Sequence, residues 1–466
     1  MALYFGMTPA GRVNASRPFV LLALLLLCLE PRAVRGADAP PLITVGEVTE
    51  TSAVVWARWD GLGPVTVEYR ARGGERDDLR RAAAQATAAK DFTVKILLTG
   101  LSPFTAYEYR VSAGGFAVAG HFRTAPPPGR PEPVTFLWSG DLGGAGHCRD
   151  PREGYRIFAP MTRLAPDFFL FVGDTIYADH RCRPGTVPGA DFAAQTLREF
   201  RLKHRYNRAD PQVQAFFQAT AVYAIWDDHE VVNDFAGPSE RLMPIGRQAF
   251  LEYWPIVPLP EEPGRLYRRI PWGQILELFV LDTRQYRSPN SMADGPGKTM
   301  LGERQRRWLL DGLAASNAVW KIVVSSVTLS VSTGRDHRDG WASGSTALSA
   351  ERSPSGFEHE LQMIVRALAD LRIKNLVWIS ADVHHAEIIR YRPRVDFTFY
   401  ELIAGPLSAS RGRPRPLDQT LSPVSLFARG DFFNFGQIAL DAHGLTVRIY
   451  DEGGVPQFKH TIAPQP

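Results

Sequence analysis

"DFFLFVGDTIYAD", residues 167–179, is the stretch that decides the fold. Its apolar run, Phe168–Val172, is typical of a strand that is buried on both faces. The run stops at Gly173 and Asp174, and Tyr177 follows three residues later. A core strand has no use for a carboxylate or a phenol at its end. The pattern therefore indicates that a positively charged group lies at the tip of this strand.

Other apolar runs end in polar residues in the same way. They are "VTFLWSGD" (134–141), "AVYAIWDDHE" (221–230), "LELFVLDTR" (276–284), "WKIVVSSV" (320–327) and "NLVWISADVH" (375–384). Between them, "GERQRRWLLDGLAAS" (302–316) and "FEHELQMIVRALADLRI" (357–373) show helical periodicity. Hydrophobic strands that alternate with helices predict an α/β fold whose sheets are covered by helices.

The polar residues at the strand ends are the candidate site, because open α/β sheets bind ligands at the carboxyl ends of their strands. These residues are Asp141, Asp174, Tyr177, Asp227, Asp228, His229, Glu230, Asn233, Asp382, His384 and His385. A single aspartate there is often a helix N-cap, and one histidine can belong to the core. Four similar strand endings instead indicate bound cations. Clustered carboxylates repel one another, and metal ions bound between them offset this repulsion.

The segment from Pro41 to Thr124 has the short alternating strands of an all-β domain. "LTGLSPFTAYEYRV" predicts a tyrosine corner at Tyr107 or Tyr109, and the segment resembles a fibronectin type III domain. The proline-rich "APPPGRPEP" that follows is typical of a stiff linker. We therefore predict a β-sandwich domain over 40–125, a linker over 126–133 and a catalytic domain over 134–460.

Residues 1–36 have the pattern of a signal peptide. Arg12 and Arg17 precede the apolar "PFVLLALLLLCL", which is short for a membrane span. An uncleaved anchor is the alternative. The prediction is an exported protein, periplasmic or secreted, that has no membrane contact after signal cleavage. The net charge of +4 over 466 residues gives no reason to expect a nucleic-acid partner.

"GDLGG", "GDTIYAD", "WDDHEVVND" and "ADVHHAE", in this order, resemble the motifs of the calcineurin-like metallophosphoesterase superfamily. Within it, the chain is similar to PhoD-type alkaline phosphatases, which are related to purple acid phosphatases. "LDTRQYR" (281–287) and "AGPLSAS" (404–410) resemble the same family. The resemblance covers most of the chain after the linker. It implies a two-sheet αββα sandwich, preceded by the small all-β domain.

The resemblance also implies a centre of two or three metal ions. Asp141 would hold the first ion, Asp174 would bridge two ions, and Tyr177 would bind a ferric ion as phenolate. The remaining ligands that it implies are Asp228, Asn233, Asp382 and His384.

The chain departs from the family pattern at three points. Asp141 stands where some PhoD-type enzymes have a cysteine thiolate, and Asp228 stands where the superfamily often has asparagine. The segment Ala381–His384 replaces the Gly-His-x-His of purple acid phosphatases. The metals therefore stay open, and iron with calcium, zinc or manganese all fit the pattern.

The predicted mechanism is attack on phosphorus by a hydroxide that bridges the metals. His229 is the candidate for contacting the phosphate or protonating the leaving group. Arg284 is a candidate for offsetting charge, with a structural salt bridge as the alternative. His204 is a third candidate for this role, although it lies on a basic stretch that we expect to be a solvated helix face. The segment 332–341 either closes over the substrate or is an ordinary surface loop.

Cys148 and Cys182 remain once the predicted signal peptide, with Cys28, is removed. Two cysteines in an exported protein favour one disulfide, here between the loops that leave neighbouring ligand strands. A thiolate on the metal is the alternative.

Together these features predict a secreted, metal-dependent phosphatase that hydrolyses small phosphomonoesters. A phosphodiesterase or nucleotide-hydrolysing enzyme of the same superfamily is the first alternative. A surface binding protein without activity is the second. The sequence leaves the oligomeric state open.

Overall fold

The structure is a computed structural model that describes residues 40–344 and 355–465. The predicted signal peptide lies outside these residues. Among the residues described, no helix combines the length and the apolar composition that are needed to cross a bilayer.

The described chain contains twenty β-strands and six α-helices. The strands are β1 Leu42–Gly46, β2 Ser52–Arg58, β3 Gly63–Ala71, β4 Arg80–Ala86, β5 Thr93–Thr99, β6 Ala106–Ala113, β7 Phe116–Arg123, β8 Val134–Ser139, β9 Phe168–Val172, β10 Ala221–Ile225, β11 Arg268–Trp272, β12 Leu276–Val280, β13 Trp320–Val324, β14 Leu376–Ser380, β15 Ala386–Arg394, β16 Phe397–Ile403, β17 Pro423–Arg429, β18 Asn434–Leu440, β19 Leu445–Asp451 and β20 Pro456–Ile462. The helices are α1 Phe158–Arg163, α2 Leu197–Arg208, α3 Pro211–Ala219, α4 Met243–Tyr253, α5 Gly302–Ala315 and α6 Glu358–Asp370.

Two large mixed sheets form the centre of the fold. The first has nine strands in the order β20-β19-β18-β8-β9-β10-β1-β2-β5, and the second has seven in the order β11-β12-β13-β14-β16-β15-β17. Alternate residues of β13 show how the layers stack: Ile322 packs in the core that the two sheets share, whereas Val323 packs with α5 and α6. The predicted α/β class is confirmed.

The parallel strands bring the candidate residues to common edges. Strands β8, β9 and β10 are mutually parallel in the first sheet, and β12, β13, β14 and β16 are parallel in the second. The residues that follow β8, β9, β10 and β14 therefore leave the sheets at their carboxyl ends, as the sequence predicts.

Strands β1 to β7 form the predicted all-β sandwich. One of its layers is β4-β3-β6-β7, and the other consists of β1, β2 and β5. Tyr107 forms the corner, because the backbone N–H of Ser102 donates to its hydroxyl at 2.8 Å. The domain is thus all-β with a tyrosine corner.

This sandwich is hydrogen-bonded to the rest of the chain. Strand β1 lies parallel to β10 in the nine-stranded sheet, with Gly46 opposite Val222. The hydroxyl of Tyr223 donates to the carbonyl of Val48 at 2.6 Å, and the hydroxyl of Tyr109 donates to the carbonyl of Gln218 at 2.9 Å. The first large sheet therefore continues across the proline-rich segment, and the domain boundaries that we place there stay a prediction.

Candidate metal centre

Tight loops at the strand ends carry the candidate ligands. Asp141 follows β8, Asp174 follows β9, and Asp382 precedes His384 after β14. All four have positive φ, at 63°, 49°, 67° and 59° respectively. This left-handed conformation is uncommon outside glycine and often marks functional sites. Each loop turns sharply enough to direct its side chain to the edge of the sheets.

The carboxylates of this edge are buried, and several of their oxygens lack partners. Both side-chain oxygens of Asp141 have no hydrogen bond within the described chain, and neither do Oδ1 of Asp228 and Oδ2 of Asp382. Burial and then the carboxylates of Asp227 and Asp228 raise the pKa of Asp382 well above its usual range, and burial likewise raises the pKa of Asp141. Unpaired buried carboxylates are costly, and hard cations offset that cost, so these residues fit a metal centre.

Asp174 lies where two possible ligand groups overlap. One group is Asp141, Asp174 and His384, and the other is Asp174, Asp228 and His229; in each group the ligand atoms lie within 4.8 Å of one another. Burial, followed by the charge of Asp228, raises the pKa of Asp174 well above its ordinary value. This position suits the bridging role that we predict for Asp174.

Tyr177 also reaches the centre. Its hydroxyl lies 2.9 Å from Nε2 of His384, and its ring stacks on His229 with 4.1 Å between ring centroids. Burial and the charge of Asp174 raise the pKa of this phenol well above its usual value. A phenolate therefore requires a strongly polarising cation at this point.

His384 is held as a neutral ring. Its Nδ1 lies 2.7 Å from the hydroxyl of Ser410, and its Nε2 lies 3.8 Å from Oδ1 of Asp141. Burial, with the charge of His229, lowers the pKa of His384 to about 4. A neutral imidazole that faces a carboxylate and is oriented through its other nitrogen is a suitable metal ligand.

His229 forms a dyad with Asp179. Its Nδ1 lies 2.8 Å from Oδ1 of Asp179, and the other oxygen of that carboxylate accepts the backbone N–H of Asn233. Burial of the ring opposes the charged form, but the carboxylates of Asp228 and Asp179 outweigh it and raise the pKa of His229 to about 9. Asp179, the last residue of the stretch 167–179, is not among the residues predicted for the site.

A cavity of about 400 Å³ brings most of the predicted site residues together. It is lined by Asp174, Asp228, His229, Asn233, Asp234, Thr333, Gly334, Arg335, Asp382, His384 and Arg415. Asn233 is thus at the cavity wall, as its predicted role requires. Arg335 belongs to the segment 332–341, which the sequence predicts either to close over the substrate or to be an ordinary surface loop. Arg415 was not predicted, because it comes from an irregular segment that carries no periodic signal.

Arg284 lies behind the cavity rather than in its wall. Its side chain is fully buried and pairs with Asp227 at 2.6 Å and with Asp339 at 2.7 Å. Nη2 of Arg284 is 3.7 Å from Asp228. This is the structural salt bridge that we gave as the alternative, and it allows Arg284 to position Asp228 but not to contact a substrate.

Two other histidines lie away from the centre. His204 is buried and stacks on Tyr253 at 5.2 Å between ring centroids, so the solvated helix face expected for its stretch is wrong. The helix is buried there because α2 packs against α4. His385 pairs with Glu387 at 3.0 Å inside the second sheet.

The predicted disulfide is present. Cys148 and Cys182 are joined, with 5.7 Å between their Cα atoms. The bond connects the loop after Asp141 to the loop after Tyr177. The disulfide therefore excludes Cys148 and Cys182 as thiolate ligands of the metal.

Comparison with known proteins agrees with this geometry. Residues 139–448 match the family described as PhoD-like phosphatase, and residues 37–126 match its N-terminal domain. Alkaline phosphatase D of Bacillus subtilis (strain 168) is 27% identical over 422 residues, which cover 80% of this chain and 70% of the relative.

Solved structures share the fold. A structure described as "Structure of PhoD" has a TM-score of 0.74 at 19% identity and covers 92% of this chain and 93% of its own. Purple acid phosphatase PPD1 from yellow lupin (Lupinus luteus) seeds has a TM-score of 0.63 at 14% identity and covers 91% and 74%. The match over residues 139–448 shows that the chain belongs to the PhoD-like phosphatases and is a phosphatase.

Proposed function

We propose that this phosphatase hydrolyses phosphomonoesters at a centre of two or three cations. The observation that carries the proposal is the set of buried, unpartnered carboxylate oxygens on Asp141, Asp228 and Asp382, two of which line the cavity. The cavity is open to small phosphate esters, and its wall contains groups that can bind anions as well as groups that can bind cations.

The cations would be held by the residues that the centre gathers. Asp141, Asp174 and His384 would hold one, and Asp174 with Asp228 would hold a second. Further ligands would be Tyr177, Asn233 and Asp382. When bound, such ions supply Lewis acidity and make water a better nucleophile near neutral pH. Iron with calcium, zinc or manganese is the set that we propose.

His229 would donate a proton to the leaving oxygen. The contact of Nδ1 with Asp179 leaves Nε2 available, and the ring lines the cavity. A protonated imidazole at that position assists the departure of an alkoxide, which is a poor leaving group. Asp179 would hold the ring in orientation and favour its charged form.

Hydrolysis of an aryl phosphate by the purified protein tests the proposal. We expect activity after reconstitution with metal ions, loss of activity with a strong chelator, and a loss of at least about 1,000-fold in Asp174→Asn. Asp311→Asn is the matched control, because Asp311 is exposed on α5. A metal-loaded protein that releases no phosphate, or an Asp174→Asn variant with the control's activity, would contradict the proposal.

We further propose that the protein is exported through its N-terminal signal. The support is the basic and then apolar pattern of residues 1–36. N-terminal sequencing of the enzyme from its native host should begin near Ala37. A mature enzyme that retains the apolar segment would support the uncleaved anchor instead.

A further inference from the structure

Four residues that line the cavity are not candidate metal ligands. We name the segment 332–339 the strap. Thr333, Gly334 and Arg335 of the strap line the cavity, and Arg415 lines it from the irregular segment that follows β16. The carboxylates that line the same cavity are Asp174, Asp228, Asp234 and Asp382. The cavity therefore combines carboxylates with two guanidinium groups.

The strap is anchored at both ends. At its start, Nη1 of Arg415 donates to the carbonyl of Ser332 at 3.0 Å. At its end, Asp339 is buried and accepts from Arg284 at 2.7 Å and from Arg287 at 2.8 Å. Gly334 has a φ of 75°, and a Cβ there would lie 2.4 Å from the Cβ of Asp339, so the turn requires glycine. The strap is therefore held in a fixed position beside the cavity.

The two arginines of this cavity have no carboxylate partner within the described ranges of the chain. Thr333 is 7% exposed, yet its hydroxyl has no hydrogen-bond partner among the described residues. Arg335 and Arg415 are exposed, and neither forms an ion pair with a carboxylate in the part of the chain that is described. By contrast, Arg413, two residues before Arg415, pairs with Asp431 at 2.8 Å. Arg335, and the donors of Arg415 that do not bind Ser332, therefore stay available to a ligand in the cavity.

We propose that Arg335 and Arg415 form a clamp for the non-bridging oxygens of a phosphate monoester dianion, and that this clamp makes the enzyme prefer monoesters to diesters. A monoester presents a second anionic oxygen, whereas a diester carries a substituent on that oxygen and a single charge. Guanidinium groups bind phosphate oxygens through short, charge-assisted hydrogen bonds. The inference rests on the proposed function, because it assumes that the phosphoryl group binds in this cavity.

The test compares one monoester and one diester on the metal-loaded, full-length mature enzyme. The substrates are 4-nitrophenyl phosphate and bis(4-nitrophenyl) phosphate, which share a leaving group. In Arg335→Gln and Arg415→Gln we expect kcat/KM for the monoester to fall by about 10- to 100-fold and that for the diester by less than about threefold. The inhibition constant of inorganic phosphate should rise in the variants in which kcat/KM for the monoester falls. Arg413→Gln, an exposed arginine of the same segment, should match the unmodified enzyme.

A merely structural role would lower both reactions equally, so an unchanged monoester-to-diester ratio together with unchanged phosphate inhibition overturns the clamp. Metal content and the melting temperature, measured on the same samples, should not change. If the unmodified enzyme hydrolyses neither ester but binds phosphate through Arg335 and Arg415, the proposed function and the monoester preference fail, and only the binding of phosphate by the two arginines stands. If it hydrolyses the monoester and both variants do so equally well, the clamp fails and the function stands.

Discussion

Replacing Asp179 with asparagine tests whether His229 acts as a general acid. The contact between Nδ1 of His229 and Oδ1 of Asp179 is 2.8 Å, and both side chains are largely buried. Asparagine keeps the size of the side chain and removes its charge. Cations bound at Asp228 would cancel that carboxylate's contribution to the raised pKa of His229. Asp179 is then the main group that holds the ring in its protonated form.

The size of the effect follows from the strength of that contact. A hydrogen bond to a charged group contributes about 1.5–3 kcal/mol, and one pKa unit corresponds to about 1.4 kcal/mol. The substitution should therefore lower the pKa of His229 by about one to two units. Because the acid must be protonated to act, the alkaline limb of the pH–kcat profile should move to lower pH by the same amount. At a fixed pH above the alkaline limb of the unmodified enzyme, the rate should therefore fall by about 10- to 100-fold.

The assay uses two leaving groups. Glycerol phosphate releases an alkoxide that needs a proton, whereas 4-nitrophenyl phosphate releases a stable phenolate that does not. Asp179→Asn should impair the first substrate strongly and the second little. His229→Asn should show the same contrast, and the double variant should be no worse than His229→Asn alone. Equal losses on both substrates, or an alkaline limb that does not move, would refute the general-acid role.

Four further results are expected. Replacing both Cys148 and Cys182 by serine should lower the free energy of unfolding by about 4 kcal/mol, because the disulfide closes a loop with a sequence separation of 34. Urea unfolding measures this, and a loss below about 1 kcal/mol would contradict it. Asn207→Leu removes a side-chain amide that donates to the carbonyls of Leu142, at 3.1 Å, and Thr175, at 3.0 Å, in the loops of Asp141 and Asp174. Isothermal titration should show about 10- to 100-fold weaker metal binding, and unchanged affinity would oppose this. Chelation should lower the melting temperature more at pH 8 than at pH 5. Without metal, the buried carboxyl groups of Asp141, Asp174 and Asp382 are tolerated only in their protonated form, because their folded-state pKa values are raised. The metal-free fold therefore loses stability as the pH rises through those pKa values. A difference in melting temperature between loaded and chelated protein that does not depend on pH would contradict this. If iron is bound, Tyr177→Phe should abolish a violet-to-pink absorption band of the loaded enzyme, and persistence of the band would exclude a phenolate ligand.

Much of the centre could be predicted because its signals are local. Strand β9 is apolar on both faces and is followed at once by Asp174, and β10 is followed by Asp228 and His229 in the same way. Parallel strands place such residues at one edge, whatever the loops do. Family resemblance then supplied the roles. Asp141 and His384, which are far apart in the chain, meet for this reason.

The rest depends on tertiary contacts that no local pattern records. Arg284 has the same sequence signal as a catalytic arginine, a position just after a strand, yet its carboxylate partners Asp227 and Asp339 hold it in the interior. Arg415 reaches the cavity from a segment without regular secondary structure. His204 belongs to a helix with the composition of a surface helix, and packing against Tyr253 buries it. Burial of polar side chains is decided by partners that are distant in sequence.

The strand β1 ties the amino-terminal sandwich to the sheet that leads to Asp228. A shortened chain that begins at the proline-rich segment would expose one edge of β10 and leave its backbone groups unpaired. Apolar residues that now pack against the sandwich would become exposed to solvent. Such a fragment would invite edge-to-edge aggregation. Attempts to engineer a minimal catalyst from this protein should therefore retain the sandwich, which serves as a permanent cover for the β10 edge.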